Sequence, residues 1–119
     1  MDNFGYNYDL SDHVSDIITI PSDTTWSQKR YIYNNIIIPN GVTLTVSNEI
    51  IFYEGATITL QGGTLNINGG VLYNADICYD GSIGADVVIS NGGTVYKAPG
   101  KTFEIPASTT MEMYNGTIE

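Results

Sequence analysis

The sequence predicts an all-β protein that winds as a parallel β-solenoid, and three observations support this prediction. Ile, Val and Thr make up 36 of the 119 residues. Branching at Cβ restricts χ1 in a helix but suits a pleated sheet. The 13 Gly and 11 Asn residues tolerate positive φ and therefore predict frequent tight turns. Finally, similar short apolar segments recur along the chain at a spacing typical of solenoid repeats, which is about 20 residues.

The first part of the chain lacks this repeat. Residues 1–16 show little periodicity and include four aspartates. Their apolar side chains, such as Phe4 and Leu10, are able to fold over the first turn of a solenoid. We therefore predict an acidic leader or cap over residues 1–16 and a solenoid over residues 17–119.

Each repeat is anchored at a turn, and we take Ser22, Asn40, Gly62, Asn91 and Asn115 as the anchors. Apolar residues stand four and two positions before every anchor. The spacings between anchors are 18, 22, 29 and 24 residues, which predicts about five coils. In the longest unit, we expect residues 78–85 to form an extra loop. The ten residues before the anchors are Ile18 and Ile20, Ile36 and Ile38, Ile58 and Leu60, Val87 and Ile89, and Met111 and Met113.

A second strand follows each anchor and a third follows in the complete units, so a complete unit consists of a strand, a tight turn, a strand, a bend and a strand. The second strands contain Trp26, then Leu44 and Val46, then Leu65 and Ile67, then Val95, then Ile118. The third strands contain Ile32, then Ile50 and Phe52, then Val71 or Leu72, then Phe103 and Ile105. Alternate positions such as Thr43, Thr45 and Asn66 should face outward. The inward ladders should contain Ile36, Ile38, Leu44, Val46, Ile58, Leu60, Leu65, Ile67 and Ile89.

An antiparallel β-sandwich is the alternative architecture. In a sandwich, each Asn-Gly pair would close a two-residue hairpin. That arrangement does not explain why flanking segments resemble one another from unit to unit. Stacked coils do explain it, because equivalent positions then share one environment.

The last unit stops within its second strand, at Glu119. Solenoids usually need terminal caps, since an open end presents unpaired backbone groups and an apolar column. We therefore expect a chain cut from a longer protein. Its partners would be neighbouring coils of that parent chain, or copies of itself stacked end to end.

Charge excludes some functions. The formal net charge is −9, and such a surface repels phosphate backbones, so we expect no nucleic-acid partner. No run of eighteen apolar residues exists, and we expect no membrane insertion.

Three stretches together resemble a known sequence type: Ile18–Trp26 (ITIPSDTTW), Ile36–Val46 (IIIPNGVTLTV) and Gly55–Ile67 (GATITLQGGTLNI). They resemble the right-handed parallel β-helix segments of large secreted bacterial surface proteins, most familiar from Bacteroidetes. The resemblance covers residues 17–77 well and residues 84–119 loosely. It implies an extracellular location at a bacterial cell surface.

Two sets of side chains are candidate sites. Five tyrosines form an aromatic strip if they share one outer face, and such strips bind sugars by stacking; ordinary half-buried strand tyrosines are the simpler interpretation. Three aspartates around the extra loop offer oxygen ligands for calcium, although their spacing matches no known calcium loop. The tyrosines are Tyr31, Tyr33, Tyr53, Tyr73 and Tyr96, and the aspartates are Asp76, Asp80 and Asp86.

The functional prediction is a non-enzymatic structural or adhesion-type module. It would space or display other elements at a bacterial surface and self-associate end to end. No cofactor is expected, with calcium as a minor hypothesis. The second hypothesis is a carbohydrate-binding or carbohydrate-active β-helix that uses the tyrosines and the acidic loop on a surface polysaccharide.

Overall fold

The chain folds as a parallel β-solenoid of about four turns in the computed structural model, which describes residues 17–79, 86–100 and 110–119. The described residues form strands and turns without a helix. The predicted leader, Asp80, Phe103 and Ile105 lie outside the described residues. The all-β prediction and the parallel solenoid are thus confirmed, and the antiparallel sandwich is wrong.

In the described residues, fourteen short strands build three parallel sheets, and every pair of neighbouring strands is parallel. Four turns supply one strand to each sheet, and two further strands continue the second and third sheets. The first sheet contains β1 (Ile17–Thr19), β4 (Asn35–Pro39), β7 (Ile58–Gln61) and β10 (Ile77–Tyr79). The second contains β2 (Thr24–Trp26), β5 (Thr43–Val46), β8 (Thr64–Asn68), β11 (Asp86–Ser90) and β13 (Thr110–Tyr114). The third contains β3 (Arg30–Ile32), β6 (Glu49–Phe52), β9 (Val71–Ala75), β12 (Thr94–Lys97) and β14 (Thr117–Ile118).

The register corrects the predicted repeat in its fourth and fifth units. Ile58 pairs with Ile77, whereas Val87 pairs with Leu65 and Met111 pairs with Val87. The strands before Asn91 and Asn115 therefore belong to the second sheet, not the first. The anchors failed because Asn-Gly occurs at two different corners of the coil, and the first-sheet strand of the fourth turn has no such pair after it.

The interior is filled by ladders of aliphatic residues, one from each turn. Leu44, Leu65 and Val87 lie one above another, and each is completely buried. Alternation along each strand places the intervening residues, such as Thr45 and Asn66, on the outer surface. All nine residues predicted for the ladders are buried, with exposed fractions of 2% or less.

Two large side chains stand at ladder positions in the first turn. Trp26 pairs with Val46, and Arg30 pairs with Ile50. The Arg30 guanidinium lies over the Trp26 ring, with Cζ 5.4 Å from the ring centroid, a cation–π contact. An indole and a guanidinium therefore continue this part of the column in the first turn, where the indole is 5% exposed.

Paired glycines serve two different purposes. The first glycine of a pair has positive φ, as at Gly69 and Gly92, which favours glycine. The second lies against the turn below: a Cβ at Gly70 would stand 2.6 Å from the Val46 carbonyl oxygen, and one at Gly93 would stand 2.9 Å from that of Ile67. The sequence predicted the first role but not the second.

Candidate functional site

Three of the predicted tyrosines share one outer face, which lies on the third sheet. Tyr31 pairs with Ile51, and Ile51 pairs with Tyr73. Tyr96 continues the row, since its ring stacks on that of Tyr73. We call Tyr31, Ile51, Tyr73 and Tyr96 the tyrosine column.

Stacking within the column covers ring faces. The Tyr73 and Tyr96 rings are 5.3 Å apart between centroids and only 5° from parallel. Adjacent strands are separated by a similar distance, about 4.8 Å. One face of each ring therefore packs against its neighbour. A sugar that stacks on an aromatic face needs that face open, so this pair offers less stacking surface than two side-by-side rings would.

A carboxylate and a lysine accompany the column. The Tyr73 hydroxyl donates to Glu49 Oε2 at 3.5 Å, and Lys29 Nζ lies 3.8 Å from Glu49 Oε1. Desolvation, followed by the Glu49 charge, raises the pKa of Tyr73. Lys29 Nζ also lies 5.6 Å from the centroid of the Tyr31 ring. The face thus has a mixed aromatic and charged surface.

The other two predicted tyrosines form a separate cluster at the corner where the chain passes from the third sheet to the first. We call this the third corner. The Tyr33 and Tyr53 ring centroids are 4.3 Å apart, and those of Tyr31 and Tyr53 are 6.3 Å apart. Tyr31 thus links the column to the corner, so that the five predicted tyrosines occupy adjoining surfaces.

The third corner varies in length from turn to turn. Its connections between described strands contain two residues (33–34), five (53–57) and one (Asp76). The single-residue connection lies between the five-residue connection and residues 98–100, which follow β12 outside a strand. A short corner between longer neighbours leaves a recess in the wall of the solenoid.

This recess, the corner notch, has a volume of about 410 Å³. Tyr53, Glu54 and Ala56 come from the connection on one side, and Ala98 and Pro99 from the connection on the other. Asn74 of β9 and Asp76 of the short corner line it between these two sides. The notch therefore combines an aromatic ring, two carboxylates and an amide with small apolar side chains.

A β-bulge places Asn74 in the notch. Val95 pairs with Leu72 and Lys97 with Ala75, so β9 has one more residue than β12 over this stretch. Asn74 has a φ of 60°, and its Nδ2 donates to the Phe52 carbonyl oxygen at 2.9 Å. Bulges of this kind re-aim side chains. Here the bulge fixes the amide against the turn below.

The predicted aspartates lie on different parts of the coil. Asp76 is at the third corner, whereas Asp86 begins β11 of the second sheet, with β10 between them in the chain. Asp80 lies outside the described residues. Among the residues that the structure describes, no three His, Cys, Asp or Glu side chains are grouped in a way that would hold a metal ion.

Tyr79 occupies an unexpected position. It pairs with Leu60, a ladder residue, and packs against the core. Its hydroxyl is buried without a hydrogen-bond partner in the described part of the chain. Desolvation raises the pKa of Tyr79 to about 12.

Sequence reasoning identified Tyr53 and Asp76 but assigned them to different sites, and it missed Glu54, Asn74, Ala98 and Pro99. These residues come together only through the register of successive turns, which the anchors misplaced in the fourth unit. The available signal was the single-residue corner at Asp76 beside the five-residue corner at 53–57, and it becomes visible once β10 is recognised as a strand.

Comparisons with known protein families, characterised proteins and solved structures find no match to this chain. In the three described ranges, no helix is long and apolar enough to cross a membrane.

Proposed function

We propose that this chain is a non-enzymatic structural module that spaces or displays other elements at a bacterial cell surface. The supporting observation is the uninterrupted stacking of buried ladder residues, illustrated by Leu44, Leu65 and Val87. Each turn packs on its neighbours, so the stack behaves as a short rod whose length follows the number of turns. One turn adds the strand separation, about 4.8 Å.

The extracellular part of this proposal depends on the resemblance of residues 17–77 to β-helix segments of secreted bacterial surface proteins. The net charge of −9 is consistent with it, because an acidic surface keeps a displayed rod soluble and away from anionic membranes. In the source bacterium, an antibody against the module should label intact cells. External protease should remove that signal without lysis. Labelling that requires permeabilised cells would contradict the proposed location.

The spacing role has its own test, which is the removal of one turn. Deleting residues 45–65 joins Leu44 to Asn66 in register, since Thr45 pairs with Asn66. Deleting residues 45–66 removes one more residue, so the side chains that follow in the strand exchange their inward and outward positions. The in-register variant should keep a cooperative melt and a shorter rod, while the other should lose stability. Equal loss in both variants would contradict the modular rod.

The proposal includes end-to-end association of copies. In β13, Met113 and Tyr114 are 44% and 58% exposed, and strand edges with exposed apolar side chains favour pairing with another chain. Sedimentation velocity at increasing concentration should show species larger than a monomer. A monomer at every concentration would remove this part of the proposal.

A further inference from the structure

We propose that the corner notch binds a neutral saccharide, with one or two sugar residues seated against Tyr53 and hydrogen-bonded by Glu54, Asn74 and Asp76. This binding function goes beyond the structural role proposed above. It also differs from sugar binding along the tyrosine column, because only Tyr53 of the predicted strip lines the notch.

The aromatic wall is held in place by its neighbours. Tyr53 is 37% exposed, and Tyr33 packs on it with ring centroids 4.3 Å apart. The Tyr53 backbone is tied down on both sides: its N–H donates to the Ile32 carbonyl at 3.0 Å, and its carbonyl accepts from the Ala56 N–H at 2.9 Å. Tyr33 covers part of the Tyr53 ring, as stacking does in the tyrosine column, and the exposed remainder is held in place. This remainder presents an apolar surface to a sugar with little further loss of side-chain entropy.

The polar groups favour a ligand rich in hydroxyl donors. Glu54 and Asp76 supply carboxylate oxygens, which accept when ionised, and Asn74 supplies an amide. The Asn74 amide nitrogen already donates to the Phe52 carbonyl, which leaves its oxygen as the further acceptor. Sugar hydroxyls are suitable donors for all three groups.

Charge and size narrow the class of ligand. No lysine or arginine is among the described residues that line the notch, so its two carboxylates repel anionic sugars. A bare cation is less suitable, because the described residues do not group three metal-binding side chains. The volume of about 410 Å³ lies within the range of small-molecule sites, about 300–1,000 Å³. These observations together favour a neutral saccharide.

The wall of the notch opposite Tyr53 is apolar. It is anchored to the turn that supplies Asn74 and Asp76, which form the floor of the notch. Ala98 and Pro99 line the notch across from Tyr53, and the Ala98 N–H donates to the Ala75 carbonyl at 2.8 Å. Since Ala75 lies between Asn74 and Asp76 in sequence, this bond fixes the wall relative to the floor. The notch is therefore formed before any ligand arrives.

The test uses the 119-residue chain on an array of neutral glucans, galactans and mannans together with anionic uronans, in buffer containing EDTA. We expect binding to neutral glycans and not to uronans. The strongest binder is then titrated into ¹⁵N-labelled protein. Amide shifts should change at Gly55, Asn74 and Ala98. An array without neutral binders, or shifts confined to Tyr73 and Tyr96, would overturn the proposal.

Variants with matched controls complete the test. Tyr53→Ala should weaken binding roughly tenfold or more, because it removes a stacking surface, whereas Tyr96→Ala should leave it unchanged. Tyr96 is a fair control because its 38% exposure matches the 37% of Tyr53. Loss of binding in Tyr96→Ala with retention in Tyr53→Ala would overturn the assignment.

A second variant guards against misfolding. Glu54→Gln is nearly isosteric and should weaken binding several-fold while leaving the melting temperature unchanged, because a charged acceptor makes the stronger hydrogen bond. Glu112→Gln on the second sheet is its control and should bind as the unmodified chain does. The notch would be excluded as the site if Glu54→Gln binds with full affinity and Tyr53→Ala is folded and still binds.

Discussion

Two corners of the same coil follow different rules. The connections between the second and third sheets, which we call the second corner, contain three, two, two, three and two residues, whereas the described connections of the third corner contain two, five and one. The second corner is regular because its glycines lie against the turn below, as Gly70 does against Val46. The third corner lacks such a column and varies. Close packing thus fixes one edge of the solenoid and leaves the other free to form a recess.

The largest expected effect is in the apolar interior that all three sheets enclose. Ile58→Asp or Leu65→Asp places a charge in a column where both residues are completely buried. An unpaired buried charge costs several kcal/mol, on the order of the whole stability of a small domain. We expect circular dichroism to show an unfolded chain.

Thr59→Asp is the control for these core variants, since Thr59 alternates with two buried residues and points outward. It should melt close to the unmodified chain. A cooperative melt at an unchanged temperature in Ile58→Asp would show that Ile58 does not face the interior.

The next largest effect on stability should be at the second corner. Gly70→Ala brings a Cβ to 2.6 Å from the Val46 carbonyl oxygen and 2.7 Å from its Cγ1. Backbone atoms cannot move aside as a side chain can, so the substitution should cost about 3 kcal/mol, the upper part of the usual range for overpacking. Urea unfolding measures it. A loss below about 1 kcal/mol would mean that the turns are not in close contact here.

Alkaline pH should reveal the buried hydroxyl of Tyr79. The ordinary pKa of 10.0 is raised to about 12 in the folded chain by desolvation. The unfolded chain therefore loses this proton first, and the stabilising contribution of Tyr79, complete below pH 10, is lost as the pH rises from 10 toward 12. Unfolding curves across this interval should show the decline.

Tyr79→Phe should flatten that decline, because the titrating group is gone, and Tyr96→Phe at the exposed column is the control. If the decline in Tyr79→Phe equals that of the unmodified chain, another group is responsible and the Tyr79 hydroxyl is not buried.

The smallest effect on stability should be at the third corner. A serine inserted between Glu54 and Gly55 lengthens a connection that already has five residues. Lengthening a loop costs little, about 0.6 kcal/mol for a full doubling, so the melting temperature should barely change. A loss as large as that of Gly70→Ala would show that both corners are equally constrained.

The sequence predicts the interior residues well, because the alternation of buried and exposed side chains can be recognised within a single strand. Alternation identifies Leu44 and Val46 as inward without knowledge of the neighbouring turn. Corner assignment depends instead on which strands pair, and Asn-Gly marks a tight bend without saying which corner it occupies. For that reason the anchors place Val87 level with Ile58, whereas in the structure it pairs with Leu65. The corner notch was missed for the same reason, since its residues come from three successive turns.

Amide-to-amide NOEs across neighbouring turns test the central claim most directly. The parallel register predicts contacts that link the backbone around Leu44 to that around Leu65, and Leu65 to Val87. Contacts that instead pair β4 with β5 in antiparallel fashion across Asn40–Gly41 would contradict the solenoid. They would replace it with hairpins.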